Sequence, residues 1–175
     1  MERAETVPAR WTEGSLAYRD FRPEVAYYSR TISATELAHA SPEAAWIAAT
    51  SVGGDAGWPA YNWLWQLRAL LDRLVGGPGR RRRRRHPTHV RPGDMLDWWR
   101  VVGVERGRRM TLLAEMRLPG SAVLELEVEP HGDGARVTAT GRFHPAGVWG
   151  LVYWLALLPA HRRIFDGLAA GIARR

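Results

Sequence analysis

The C-terminal stretch from Ala146 to Arg174 constrains the fold more than any other part of the chain. Trp149, Val152 and Leu155, and then Ile164, Leu168 and Ile172, recur at helical spacing, while Arg162, Arg163, Asp166, Arg174 and Arg175 populate the opposite side late on. The spacing predicts one long helix, or two collinear ones joined at Pro159. Its first half is apolar all round, so something must cover it. Between Arg142 and Arg162 lie 19 residues without a formal charge, close to the ~20 that span hydrocarbon. Trp149, Tyr153 and Trp154 sit in the middle of that segment, however, and Pro145 and Pro159 bracket it. A helix buried in protein is therefore expected, and no transmembrane span.

The stretch from Asp94 to Phe143 supplies the cover, because there the hydrophobic period switches to two. Met95 to Val104, Arg109 to Leu118, Ala122 to Glu129 and Ala135 to Phe143 are four predicted strands. Short glycine-bearing links at Glu105-Arg106-Gly107, Pro119-Gly120 and His131 to Gly134 favour antiparallel hairpins. Alternation puts Met110, Leu112, Ala114 and Met116 on one face, with Leu124, Leu126, Val128, Val137, Ala139 and Phe143. The opposite face carries Glu125, Glu127 and Glu129 against Arg136 and Arg142, rows able to pair across strands. One face is dry and one is wet, as in an antiparallel sheet covered on a single side.

Upstream, residues Met1 to Pro23 show no sustained period and are expected to form a partly disordered extension. Glu24 to Ile32 reads as a first strand. Ser41-Pro42-Glu43 combines an N-cap serine, a first-turn proline and an acid near the positive helix end, and predicts a short helix through Thr50. Gly53 to Pro59 must then bend sharply. A second helix is expected over Tyr61 to Val75, with Leu64, Leu67, Leu71 and Leu74 on one stripe and Gly76-Gly77-Pro78 as its stop. The run Gly79 to Pro87 holds six adjacent arginines, Arg80 to Arg85, and is expected to be a solvated loop.

That run also accounts for the charge. The net charge is +7, and Arg80 to Arg85 contribute +6 of it, leaving +1 for the rest of the chain. Basicity is thus local and does not by itself make a nucleic-acid-binding domain. With no cysteine, disulfides, thiolate zinc sites and cysteine nucleophiles are excluded. No signal-peptide pattern opens the sequence, and a cytoplasmic location is expected.

The order strand, two helices, antiparallel strands and long C-terminal helix is similar to the α+β helix-grip layout of START-like and polyketide-cyclase-like domains. GWPAYNWLWQLRALLDRLVGGPG (57 to 79), RHPTHVRPGDMLDWWRVVGVERG (85 to 107), LLAEMRLPGSAVLELEVEP (112 to 130) and FHPAGVWGLVYWLALLPAH (143 to 161) resemble a domain-of-unknown-function family of that superfamily. That family often forms the C-terminal half of NAD(P)-binding epimerase-like proteins. The resemblance implies a single domain over residues 24–175, with a curved antiparallel sheet wrapped around the C-terminal helix and two helices inserted after the first strand. No strand followed by G-x-G-x-x-G occurs here, so this chain by itself is expected to carry no redox role and no cofactor, and a separate oxidoreductase is one partner that the resemblance leaves open.

In such a fold the ligand lies between the concave sheet face and the long helix. The expected function is binding of a hydrophobic small molecule or lipid there. The residues expected to meet it are Trp63, Asp97, Trp99, Met116, Leu126, His144, Trp149 and Tyr153, with Trp65 and Trp154 also able to line a flat cavity. An inward Asp97 would be a carboxylate in a mostly apolar cavity, able to serve a cyclase- or dehydratase-like reaction in general acid–base work. Its alternative is a strand-end carboxylate that accepts from arginine or backbone donors. Arg80, Arg81, Arg82, Arg83, Arg84 and Arg85 offer a third reading, weak contact with the phosphates of nucleic acid or an anionic membrane. His86, His89 and Asp94 share no fixed face, so no metal site is expected.

Overall fold

A computed structural model describes residues 29–61, 86, 89–116 and 118–175. The expected extension, the start of the expected first strand, the expected second helix beyond Tyr61 and the arginine loop lie outside the described residues. Six strands form one antiparallel sheet: β1 (Arg30–Ala38), β2 (Met95–Leu96), β3 (Trp99–Glu105), β4 (Arg109–Ala114), β5 (Gly120–His131) and β6 (Gly134–Pro145). Their order across the sheet is β1-β6-β5-β4-β3-β2, a meander whose last strand pairs with the first. Helix α1 (Pro42–Thr50) follows β1, and helix α2 (Gly147–Ala173) closes the chain.

Local signals locate α1. The Ser41 hydroxyl accepts from Ala44 N at 3.3 Å, Pro42 stands at the first turn, and the helix ends at Thr50. A single 3₁₀ turn at Gly54–Ala56 makes the bend that the glycines of this region foretell. The first strand differs from its expected place, since it runs on to Ala38 through a segment of modest strand propensity. Pairing supplies what propensity does not: Arg30 to Ala38 run in unbroken antiparallel register with Phe143 to Ala135 of β6.

The expected strand from Met95 to Val104 is two. Asp97 adopts φ +58 and, with Trp98, turns the chain so that Leu96 pairs with Trp99. A second interruption follows, because the register shifts between Val101 and Gly103. Val101 is opposite Leu112, and Val104, instead of Gly103, is opposite Met110. A strict period of two would have put Gly103 inside; the bulge returns Val104 to the dry face.

Sheet faces otherwise follow the alternation. Val101, Met110, Leu112, Leu126 and Val137 are completely buried on the inner side. On the outer side Arg142 pairs with Glu125 at 3.0 Å, Arg109 lies 3.7 Å from Glu127, and Arg100 pairs with Glu115. Thr140 and Ser33 share a hydrogen bond at 2.9 Å on that side. Of these ion pairs, Arg109–Glu127 is solvated on both sides and contributes roughly 0–1 kcal/mol. The centre of this face is drier than alternation predicts, with Val123 1% and Glu125 7% exposed.

Helix α2 is one continuous element, and Pro159 lies inside it. Proline costs one intrahelical hydrogen bond, and packing against β1 and β6 carries the helix through. The inner face of those strands is built from small residues, Ala34, Ala38, Ala135, Ala139 and Gly141, so the helix approaches closely. The Cζ end of the Phe165 ring meets Gly141, where a Cβ would fall 2.3 Å from it. At the other end Gly150 faces the link between β4 and β5, and a Cβ there would stand 2.3 Å from the Pro119 carbonyl oxygen. That same oxygen accepts from Ala146 N at 2.9 Å.

The face that α2 buries corrects the helical stripe expected in its first half. Ile164, Leu168 and Ile172 are buried as expected, whereas Trp149, Val152 and Leu155 are 80%, 48% and 58% exposed. Gly150 and Trp154 point inward in their place. Where a helix is apolar all round, spacing carries no information about its inner side.

Candidate functional site

Two aromatic groups stand where the sheet meets its cover. The first is built around the β2–β3 turn. Asp97 is completely buried, and its Oδ2 accepts from the Trp58 indole Nε1 at 3.0 Å and from Gly54 N at 3.3 Å. This carboxylate thereby ties the turn to the loop that follows α1. Trp58 stacks on Trp98, ring centres 6.3 Å apart, and is tilted against Trp99 at 6.5 Å. Trp99 itself belongs to the inner row of β3, opposite Ala114. It is 6% exposed, and its Nε1 has no hydrogen-bond acceptor among the described residues.

The second group sits between β6 and the N-terminal half of α2. Trp154 stacks on Phe143 with ring centres 5.5 Å apart and planes 7° from parallel, and Tyr153 closes on Phe143 at 5.8 Å. His161, two turns along α2, lies 5.0 Å from Trp154, and its buried Nδ1 has no partner among the described residues. Chemically, the two groups offer flat apolar surfaces, one unused indole donor and one imidazole. Among the described residues no cluster of three or more His, Asp or Glu side chains is arranged to hold a metal ion.

A family model described as Protein of unknown function (DUF2867) matches residues 26–168. The chain belongs to this family. Norcoclaurine synthase from Thalictrum flavum is similar in structure, with a TM-score of 0.50 and 14% identity over 83% of this chain and 84% of that one. CalU16 from Micromonospora echinospora (TM-score 0.43, 16% identity, 82% and 88% covered) and Ara h 8.0201 (TM-score 0.45, 9% identity, 82% and 97% covered) also match. At 14% identity the likeness to norcoclaurine synthase is one of fold, and the six-stranded antiparallel sheet with its long C-terminal helix is the helix-grip layout. Among curated protein sequences none matches this chain.

In this family member the residues expected to meet a ligand divide. Trp99, Leu126 and Met116 lie on or against the inner core, and Tyr153 flanks Phe143. Trp149 projects into solvent, opposite to its expected side. His144 shares the strand parity of Arg142 and Thr140 and so faces away from Phe143 and Ala139. Trp63, Trp65 and Arg80 to Arg85 lie outside the described residues. Trp58 and His161 were not foreseen. The glycine-rich bend before Trp58 was the available signal for the first, and nothing in the spacing of a helix apolar all round singles out the second.

His161 has a consequence in solution. Burial pushes its imidazole below the ordinary 6.5, since the charged form is poorly solvated. The unfolded chain then takes up a proton that the folded protein refuses. Stability present above about pH 6.5 is lost as pH falls through that value and levels off below the folded pKa. Melting temperature should accordingly drop between about pH 7.5 and 5.5, and His161→Phe should flatten that slope. A slope of opposite sign would show that the Trp154 ring stabilises the imidazolium more than burial penalises it.

Proposed function

We propose that the protein binds a hydrophobic small molecule or lipid between the inner face of the sheet and helix α2. Trp99 carries this reading. A large indole sits in the inner row of the sheet with its N–H unused. Leaving such a donor unpaired costs about 1–3 kcal/mol, and an acceptor brought by a ligand removes that cost. The favoured ligand therefore has an apolar, flat body and a carbonyl, ether or hydroxyl oxygen. Phe143, Tyr153 and Trp154 offer ring surfaces at the other end of the same side of the sheet.

Binding without turnover is the reading that Asp97 favours, because Oδ2 is already engaged by Gly54 and Trp58. A carboxylate that holds a turn is poorly placed to shuttle a proton to a substrate. Chemistry on the ligand would then fall to another protein, a separate oxidoreductase being one partner that the resemblance leaves open.

Protein purified from cells and analysed by native mass spectrometry and solvent extraction should carry an apolar compound. Emptied protein should bind an anilinonaphthalene sulfonate probe that fatty acids and aromatic ketones displace. Trp99→Phe keeps an aromatic in place and removes the donor. Displacement by oxygen-bearing ligands should weaken by about 5–150-fold, equivalent to about 1–3 kcal/mol, with pure hydrocarbons unaffected. Finding neither a bound compound nor probe binding by folded protein at millimolar ligand would dispose of the proposal.

A further inference from the structure

The solvent side of α2 is the reverse of what a surface helix requires. Val148 (75% exposed), Trp149 (80%), Val152 (48%) and Leu155 (58%) form one continuous stripe, and Ala156 and Pro159 extend it. At 100° per residue, Val148, Val152, Leu155 and Pro159 fall within about 60° of one another on the helix circumference. The stripe is about 16 Å long at 1.5 Å per residue. It carries no charge anywhere along it. Within a turn of its end, the same side of the helix presents Arg162 and Arg163, both exposed and neither in an ion pair among the described residues. Asp166 follows one turn later.

We propose that this face of α2 docks the protein on an anionic lipid bilayer. Trp149, Val152 and Leu155 enter the boundary between headgroups and acyl chains, and Arg162 and Arg163 reach the lipid phosphates at the edge of the patch. Among the described residues no helix is long and apolar enough to cross a membrane, so α2 lies on the bilayer instead of spanning it. Charge distinguishes this occupant from a second copy of the chain. A two-fold pairing of two such stripes would set the arginine pair of each copy against uncharged turns of the other, with no carboxylate supplied by the partner copy, whereas a phosphate surface supplies anions. The patch is separate from the inner side of the sheet, so the inference does not depend on what is bound there.

Flotation with vesicles tests it. Protein should rise with phosphatidylcholine vesicles containing phosphatidylglycerol and rise far less with phosphatidylcholine alone. The triple variant Trp149→Ser, Val152→Ser, Leu155→Ser alters only exposed side chains and should retain its melting temperature. Its partition to the mixed vesicles should weaken by at least about tenfold. The pair Arg162→Ser, Arg163→Ser should lose the preference for anionic lipid and keep residual binding. Quenching by brominated acyl chains should be detectable in the parent protein and reduced in Trp149→Phe. Vesicle binding equal in the parent and the triple variant would overturn the proposal, since contact would then be made elsewhere, as by the arginine run. It is equally overturned if the parent ignores vesicles but forms a dimer that the triple variant abolishes.

Discussion

Replacing Asp97 with alanine is expected to lower stability by about 3 kcal/mol, from two buried donors left unpaired at about 1–3 kcal/mol each with partial relaxation. For a chain of this size that corresponds to a fall in melting temperature of roughly 6–12 °C. The donors are Trp58 Nε1 and Gly54 N, both directed at Oδ2 of a completely buried side chain. Backbone conformation adds to the cost, because Asp97 occupies φ +58, a region that Asp, Asn and Gly enter more readily than Ala. Three variants separate these effects. Asp97→Asn retains an acceptor and a residue suited to positive φ, so it should lose only about 1 kcal/mol. Asp97→Gly relieves the backbone and still strands both donors, so it should fall between Asn and Ala. An alanine variant that melts with the parent would show that the carboxylate does not hold the turn. Normal folding of Asp97→Asn with loss of a measurable turnover would instead return Asp97 to a role in chemistry.

Gly141→Ala should destabilise the protein by about 1–3 kcal/mol, the usual cost of forcing atoms into a filled core. Ordinarily alanine is preferred to glycine within a strand by about 0.5–1 kcal/mol, so the sign of the effect reports the contact. The new Cβ would stand 2.3 Å from the Phe165 ring, on the strand over which α2 is seated. Either the ring rotates away or the helix lifts, and both expose apolar surface. Phe165→Leu should be mildly destabilising alone and should recover much of the loss in the double variant. Chemical denaturation of the four proteins measures the coupling between the two sites. Strict additivity would mean that Phe165 does not rest on Gly141.

Much of the architecture is legible because it is written in local chemistry. Ser41, Pro42 and Glu43 announce α1 through capping, and the structure begins it at Pro42. The alternating residues of Arg109 to Phe143 announce strands and their faces, and Leu112, Leu126 and Val137 lie on the dry side. What fails does so for identifiable reasons. A carboxylate at positive φ breaks the expected first sheet strand at Asp97, and a one-residue bulge after Val101 changes which residues point inward. Neither leaves a periodic trace, since each is a single-residue departure within a run that otherwise alternates. Among the ligand-facing residues, Trp99 was legible from strand parity, whereas Trp149 was misplaced and His144 lies on the other face.

By itself the sequence determined the α+β class, the antiparallel meander and the long terminal helix, because capping, turn glycines and hydrophobic period act over a few residues and need no partner. It determined equally that no cysteine chemistry operates in this chain. Only the tertiary structure decided which side of α2 is inside. Between Gly147 and Pro159 every direction is apolar, and the choice fell to fit: Gly150 against the Pro119 carbonyl, Trp154 against Phe143 and Phe165 over Gly141. Tertiary structure alone likewise brought Asp97 to Trp58 and Gly54, 39 and 43 residues apart in the chain. Contacts of that range depend on the packing of whole elements, which no local pattern encodes.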